Sequence, residues 1–126
     1  VTLPNPTDAE LDILKCFWRG GDLSAREVHN QIAADLAWSS STTRTVLERM
    51  RVKGLLYRRD VHGMAVYSAT QPKVAVIRNV VRRLRAILEI DGPLPAAAFS
   101  GSQILNADDI VALERALNAD TPEGDA

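Results

Sequence analysis

The sequence has one cysteine, two histidines and no long apolar run, and each shortage removes a class of protein. Cys16 alone cannot close an internal disulfide, so a fold stapled by cystines is excluded and a reducing, cytoplasmic setting is the expectation. Two histidines without a cysteine cluster offer no metal-ligand spacing, and neither metal nor cofactor is expected. No stretch approaches the roughly 20 consecutive apolar residues of a membrane-spanning helix. The first residues also lack the basic segment and apolar run of a secretory signal, so no membrane insertion is expected. The seven glycines do not assemble into a phosphate-binding loop. Neither His29 nor His62 has a carboxylate or nucleophile set around it, and an enzyme is not expected.

What is present is a chain of 126 residues, 46% of them hydrophobic. A chain of that length buries roughly two-thirds of its unfolded surface, enough for one compact domain with an accessory element. The formal net charge of −1 conceals segregation. Between Arg44 and Arg85 eleven basic residues face only Glu48 and Asp60, a net +9, whereas residues 1–43 carry −3 and residues 86–126 carry −7. A central segment of one sign sets up a local positive field that attracts a polyanion despite the near-neutral total.

The pattern along the chain is helical at first. In "TDAELDILKCFW" Thr7 and Glu10 form a capping box, and Leu11, Leu14, Phe17 and Trp18 follow at helical spacing, with Phe17 and Trp18 read as core. Gly20 and Gly21 stop that helix. A second box, Ser24 with Glu27, opens a helix with Val28, Ile32 and Leu36 on one stripe, ending near Trp38. A third helix over residues 40–53 places Thr43, Val46, Leu47 and Met50 on one side and Ser41, Arg44, Thr45 and Glu48 on the other. After Gly54 the period becomes alternating, and "LLYRRD" and "MAVYSA" read as two strands joined through "DVHG". Three short helices and a hairpin have the layout of a winged helix-turn-helix.

Beyond "TQPK" an amphipathic helix is predicted over about residues 73–90. Its apolar arc is Val76, Ile77, Val80, Val81, Leu84, Ile87 and Leu88, with Arg78, Arg82, Arg83 and Arg85 opposite. Gly92, Pro93 and Pro95 interrupt it. A last helix starts near Asn106, with Asp109 placed for a capping box and Ile110, Leu113 and Leu117 apolar.

Residues 3–70 resemble the DNA-binding half of the penicillinase and methicillin-resistance repressor family (BlaI/MecI-like). The motif W-S-x-x-T followed by T-x-L-x-R-x-x-x-K-G stands here as Trp38, Ser39, Thr42, Thr45, Leu47, Arg49, Lys53 and Gly54. "TDAELDILKCFW" and "LSAREVH" resemble the family's first two helices, in the same order. The resemblance implies dimeric transcriptional repressors of double-stranded DNA whose third helix enters a major groove. The expected fold is mostly α with a small β-hairpin: a winged helix-turn-helix over residues 1–71, helical dimerisation elements over 72–119 and a disordered tail over 120–126.

On that helix Ser41, Thr42, Arg44 and Thr45 can reach base edges or adjacent phosphates, with Arg44 as base reader, although the hydroxyl residues can equally be caps. Lys53 is expected to hold a phosphate, as are Arg58, Arg59 and His62 on the wing. Arg49 has two readings, a phosphate anchor or an ion pair with an acid of the first helix. Trp38 is read as packing beneath the recognition helix. Homodimerisation is assigned to Ile77, Val80, Val81, Leu84, Leu88, Ile110, Leu113 and Leu117, because such a stripe on an appended helix needs a partner.

The family is further associated with a membrane sensor protease system, in some members answering beta-lactams, that cuts before a phenylalanine. Ala98 and Phe99 are the nearest counterpart here, although a loop phenylalanine filling the dimer core is the simpler expectation. Met64 after Gly63 departs from the family's basic wing. Two other functions fit the same layout: a winged-helix module that binds protein, and a regulator that senses a small ligand.

Overall fold

The computed structural model describes residues 5–119, and the predicted disordered tail lies outside the described residues. The element order is α1 (Asp8–Gly20), β1 (Leu23–Ser24), α2 (Ala25–Leu36), α3 (Ser40–Lys53), β2 (Leu56–Val61), β3 (Met64–Ala69), α4 (Lys73–Leu88), a 3-10 turn (Ala96–Phe99) and α5 (Ala107–Ala119). Two compact units divide between Gln71 and Pro72. No helix among the described residues is long and apolar enough to cross a membrane.

Local chemistry sets the helix ends. Thr7 Oγ1 accepts the Glu10 N–H at 3.2 Å while Glu10 Oε1 accepts the Thr7 N–H at 2.9 Å, so two first-turn donors are satisfied reciprocally. Ser24 and Glu27 repeat the arrangement at 3.2 and 2.8 Å. Asn106 and Asp109 do so on α5. Helix α2 stops at Leu36, before Trp38, because Ala37 turns the chain with φ 53°.

In the first unit, α1 packs on α2, α2 on α3, and α3 on β2. Ile13, Leu14, Phe17, Val28, Ile32, Leu47, Met50, Leu56 and Tyr67 are buried. Trp18 is only partly so. The sheet order is β1-β3-β2, all antiparallel. The two-residue β1 is too short to show any alternation in sequence. The hairpin connection is tighter than "DVHG": Asp60 and Val61 belong to β2, and only His62 and Gly63 turn. Both have positive φ, 52° and 78°, as a two-residue primed turn requires.

The second unit has its own core of Val81, Leu113 and Leu117, against which Val74, Ile77, Leu94, Phe99 and Leu105 pack. Val81, Leu113 and Leu117, expected from the sequence in a dimer seam, are buried within one chain. Helix α5 folds back on α4 and covers them within one chain. The same packing uses Ile77 and Phe99, both partly buried against this core. Lys73 Nζ bonds the Ile104 carbonyl and the Asp109 carboxylate, both at 2.7 Å. That bond from Lys73 is the chief reason the Asp109 carboxyl sits below its usual range.

Glu10 links two helices of the first unit. Besides capping α1, its Oε1 accepts Lys53 Nζ, in the last turn of α3, at 2.7 Å, and the residue is only 4% exposed. Burial pushes its carboxyl up, but Lys53 and the donors of Thr7 outweigh burial and hold it below the ordinary value of 4.5. With the folded pKa depressed, the stabilisation is complete above the unfolded value and is lost as pH falls through the folded one. Lys53→Met leaves a buried carboxylate unpaired and is expected to destabilise the chain by about 1–3 kcal/mol at neutral pH. In urea unfolding the difference from wild type should narrow as pH drops below 4.5; a gap independent of pH would mean that the pair contributes nothing electrostatic.

Candidate nucleic-acid interface

Helix α3 presents one polar face. Ser41, Thr42, Arg44, Thr45 and Arg49 are exposed, while Thr43, Val46, Leu47 and Met50 are buried. Ser39 caps the helix, its Oγ accepting the Thr42 N–H at 3.2 Å. The hydroxyls of Ser41 and Thr42 lie 3.1 and 3.0 Å from the same oxygen, so part of the hydroxyl run serves the cap. The N–H groups of Ser40 and Ser41 fall in the first turn, beyond reach of a helical carbonyl, and leave partial positive charge at this end.

The second and third helices are joined by a polar contact at their crossing. His29 Nδ1 lies 2.8 Å from Oγ1 of Thr43, a side chain with no exposure. The Thr43 hydroxyl also lies 3.4 Å from the Ser39 carbonyl. Beside this contact a cleft of about 220 Å³ is lined by Ala25, Arg26, His29, Asn30, Ser40 and Arg44. Arg26, His29 and Asn30 share one face of α2 through i, i+3, i+4 spacing, a signal available in the sequence that the reading above leaves unused. Two guanidinium groups flanking a concave, partly polar site can seat a phosphate-sized anion.

The basic residues fall into two sets. Arg26, Arg44 and Arg49 form no ion pair with any described residue. Lys53 is held by Glu10, Arg51 by Glu48 at 3.0 Å, Arg58 by Glu48 at 3.6 Å and Asp60 at 3.7 Å, and Arg59 by Asp22 at 2.5 Å. Lys53, Arg58 and Arg59, expected as phosphate anchors, are therefore engaged within the chain. The acid of the first helix pairs with Lys53, not with Arg49. His62 is exposed at the hairpin tip and Trp38 is half-buried.

Glu48 is the acid at the centre of the second set. Tyr67 Oη donates to its Oε2 at 2.5 Å. That bond first, then the guanidinium groups of Arg51 and Arg58, lowers the Glu48 carboxyl despite some desolvation. Burial and the same carboxylate push the Tyr67 phenol up to about 12. In the second unit Ala98 is exposed and Phe99 half-buried. Their 3-10 turn is closed by Ala98 N–H to the Pro95 carbonyl and Ser100 N–H to that of Ala97.

The model of the penicillinase repressor family matches residues 6–119. The chain belongs to that family. This family member is 30% identical over 66 residues to the penicillinase repressor of Bacillus licheniformis, an alignment that covers 52% of each chain, so it spans about half the length of that relative. It is 24% identical over 114 residues to an uncharacterized 16.5 kDa protein of the ptsI 3' region of Latilactobacillus sakei, covering 90% of this chain and 78% of that protein. Among solved structures it is similar to the monomeric form of Bacillus licheniformis BlaI in complex with the blaP half-operator. The TM-score is 0.52 at 28% identity, over 57% of this chain and 88% of that one. The DNA-binding domain of the repressor BlaI gives 0.51 at the same identity and coverage. The fold is thus a mostly helical winged helix, and the family is one of regulators rather than enzymes.

The contact between His29 and Thr43 sets how α3 sits on α2, and its contribution is measurable. In a double-mutant cycle of His29→Ala and Thr43→Val, unfolding in urea should return a coupling energy of about 1 kcal/mol. Additive losses would assign Thr43 to packing alone.

Proposed function

We propose that the chain is a sequence-specific transcriptional repressor that binds double-stranded DNA as a homodimer on an inverted-repeat operator. The observation that carries this function is the exposed N-terminal face of α3, with Arg44 unpaired beside the cleft that Arg26 closes from α2. Family membership and the likeness to a BlaI structure solved on a half-operator support it.

Arg44 in the first turns of a helix can reach the two acceptors of a guanine edge. Arg26, across the cleft, meets a backbone phosphate, which positions without reading. Arg44→Ala should therefore lower affinity and flatten the preference at one base pair, a discrimination of about 1–3 kcal/mol. Arg26→Ala should weaken all duplexes alike and reduce the salt slope by about 1. Both follow from fluorescence anisotropy on duplexes differing at single positions; identical uniform losses would remove the distinction between reader and anchor.

Because Lys53 and the wing arginines have internal partners, roughly two to three cations per protomer remain for phosphates. That corresponds to a slope of log affinity on log salt of about −4 to −5 for a dimer. A protein-binding module with an apolar interface would show little dependence on salt.

A homodimer is supported by the apolar surface that the second unit leaves uncovered. Leu84, Ile87 and Leu88 in the last turns of α4 are 48%, 64% and 57% exposed, and Val111 on α5 is 49% exposed. Val80 and Ile110 are partly buried. Large apolar side chains left exposed on the last turns of α4 mark an interface. Cutting between Ala98 and Phe99 by a sensor protease would have a physical consequence on this surface, since Phe99 and α5 would leave with the C-terminal fragment and uncover Val81.

Leu84→Glu should turn the dimer into monomers in sedimentation at micromolar concentration. A two-fold dimer also fixes half-site spacing at about 34–36 Å or a multiple of it. Inserting half a helical turn between half-sites should abolish tight binding, and undiminished affinity would exclude a rigid dimer.

A further inference from the structure

The two arginines of the wing are held in the same way on opposite faces of one hairpin. Arg58 and Arg59 are neighbours on β2, so their side chains leave on opposite sides of the sheet. Arg58 stands opposite Tyr67 in register, and Ser68, opposite Tyr57, shares the face of Arg59. On the first face Tyr67 Oη and the Arg58 guanidinium converge on Glu48. On the second, Ser68 Oγ donates to Asp22 Oδ1 at 2.7 Å while Arg59 bonds Asp22 Oδ2. Each site thus has one carboxylate, one arginine of β2 and one hydroxyl of β3; Glu48 also pairs with Arg51, and Arg58 also lies 3.7 Å from Asp60. The hydroxyls belong to residues only 3% and 4% exposed, so each carboxylate is also held from beneath by a group other than its arginine.

Ion pairs this open to solvent add little to stability; the structural role of the two carboxylates is to accept the hydroxyls of Tyr67 and Ser68, which needs no arginine. Its electrostatic effect on a polyanion is direct. Glu48 is one of only two acids among eleven basic residues in the central segment, and it sits on the recognition helix itself. A phosphate that recruits Arg58 or Arg59 must compete with a carboxylate that remains near the DNA, Asp22 then without its arginine and Glu48 with Arg51 still beside it.

We propose that Glu48 and Asp22 are specificity-determining residues: internal anions that compete with DNA phosphates for the wing arginines and so suppress binding to non-operator DNA. The proposal rests on the DNA-binding function above. A complex held only by phosphate contacts loses the most, because it has no other source of affinity. A complex seated by Arg44 on bases and Arg26 on a phosphate does not draw on the wing arginines, so the same competition costs it little.

The test compares wild type with Glu48→Gln and Asp22→Asn on two probes. One is a random-sequence duplex, and the other is the genomic fragment that wild type selects most strongly. Glu48→Gln and Asp22→Asn should each bind the random duplex about tenfold more tightly at low salt, with a slope steeper by about 1 for each arginine released, Arg59 by Asp22→Asn and Arg51 with Arg58 by Glu48→Gln. Affinity for the selected fragment should rise less than threefold. Asp35→Asn, an equal change of charge on exposed α2 surface, should alter neither by more than twofold. Tyr67→Phe changes no charge but releases Glu48 from its anchor, and should reproduce part of the gain on random DNA. Thermal unfolding of each variant establishes that it is folded. Gains equal to those of Asp35→Asn, or equal on both probes, overturn the proposal and leave DNA binding intact. Wild type that binds neither probe in a salt-dependent manner overturns the DNA function itself, and the proposal with it.

Discussion

Glu10 is the residue on which the geometry of the first unit turns. One carboxylate closes the capping box of α1 and takes the ammonium of Lys53 forty-three residues later. The far end of α3 is thereby tied to the beginning of α1, while Thr43 ties the near end to α2 through His29. A helix fixed at both ends has its exposed face set as well, and Arg44 inherits its direction from both contacts, one of which borders the cleft that it lines. Both contacts involve groups that are costly to leave unpaired in the interior, which makes the orientation specific rather than merely favourable.

The local features of the fold were legible because they are written within a few residues. Thr7 with Glu10, Ser24 with Glu27 and Asn106 with Asp109 are three apart, and the change of period after Gly54 marks the wing. Partners distant along the chain left no such mark. That Lys53 belongs to Glu10 follows from how the ends of α1 and α3 meet, and that Arg59 belongs to Asp22, across thirty-seven residues, from the register of β3 between β1 and β2, where β1 has only two residues. For the same reason a count of basic residues overstates the charge available to a polyanion. The segment's net +9 includes several cations that the fold has already matched with acids brought in from the flanks.

The second unit shows a comparable limit. A stripe of apolar residues on a helix reports that something covers it, not what. Val81, Ile77, Leu113 and Leu117 read as a surface for another chain, yet α5 folds back and takes them. The reversal depends on the interruption at Gly92, Pro93 and Pro95, which lets the chain double back and bring Leu94, Phe99 and Leu105 onto the same core. Only the last turns of α4 extend past this cover, so Leu84, Ile87 and Leu88 are what the fold leaves over.

The hairpin's two-residue connection restricts how this wing can change in length. His62 and Gly63 are all that separate Val61 from Met64. Side chains alternate along β2, so one residue inserted between Leu56 and Arg58 would send every later side chain to the other face. Arg58 would then meet the side that holds Asp22, and Arg59 the side that holds Glu48, each out of line with its hydroxyl. Insertions within the strands must come in pairs to keep the faces, whereas the tip beyond Val61 can grow by any number. The wing can thus change in length freely only at its tip, and the faces of Arg58 and Arg59 restrict insertions within the strands.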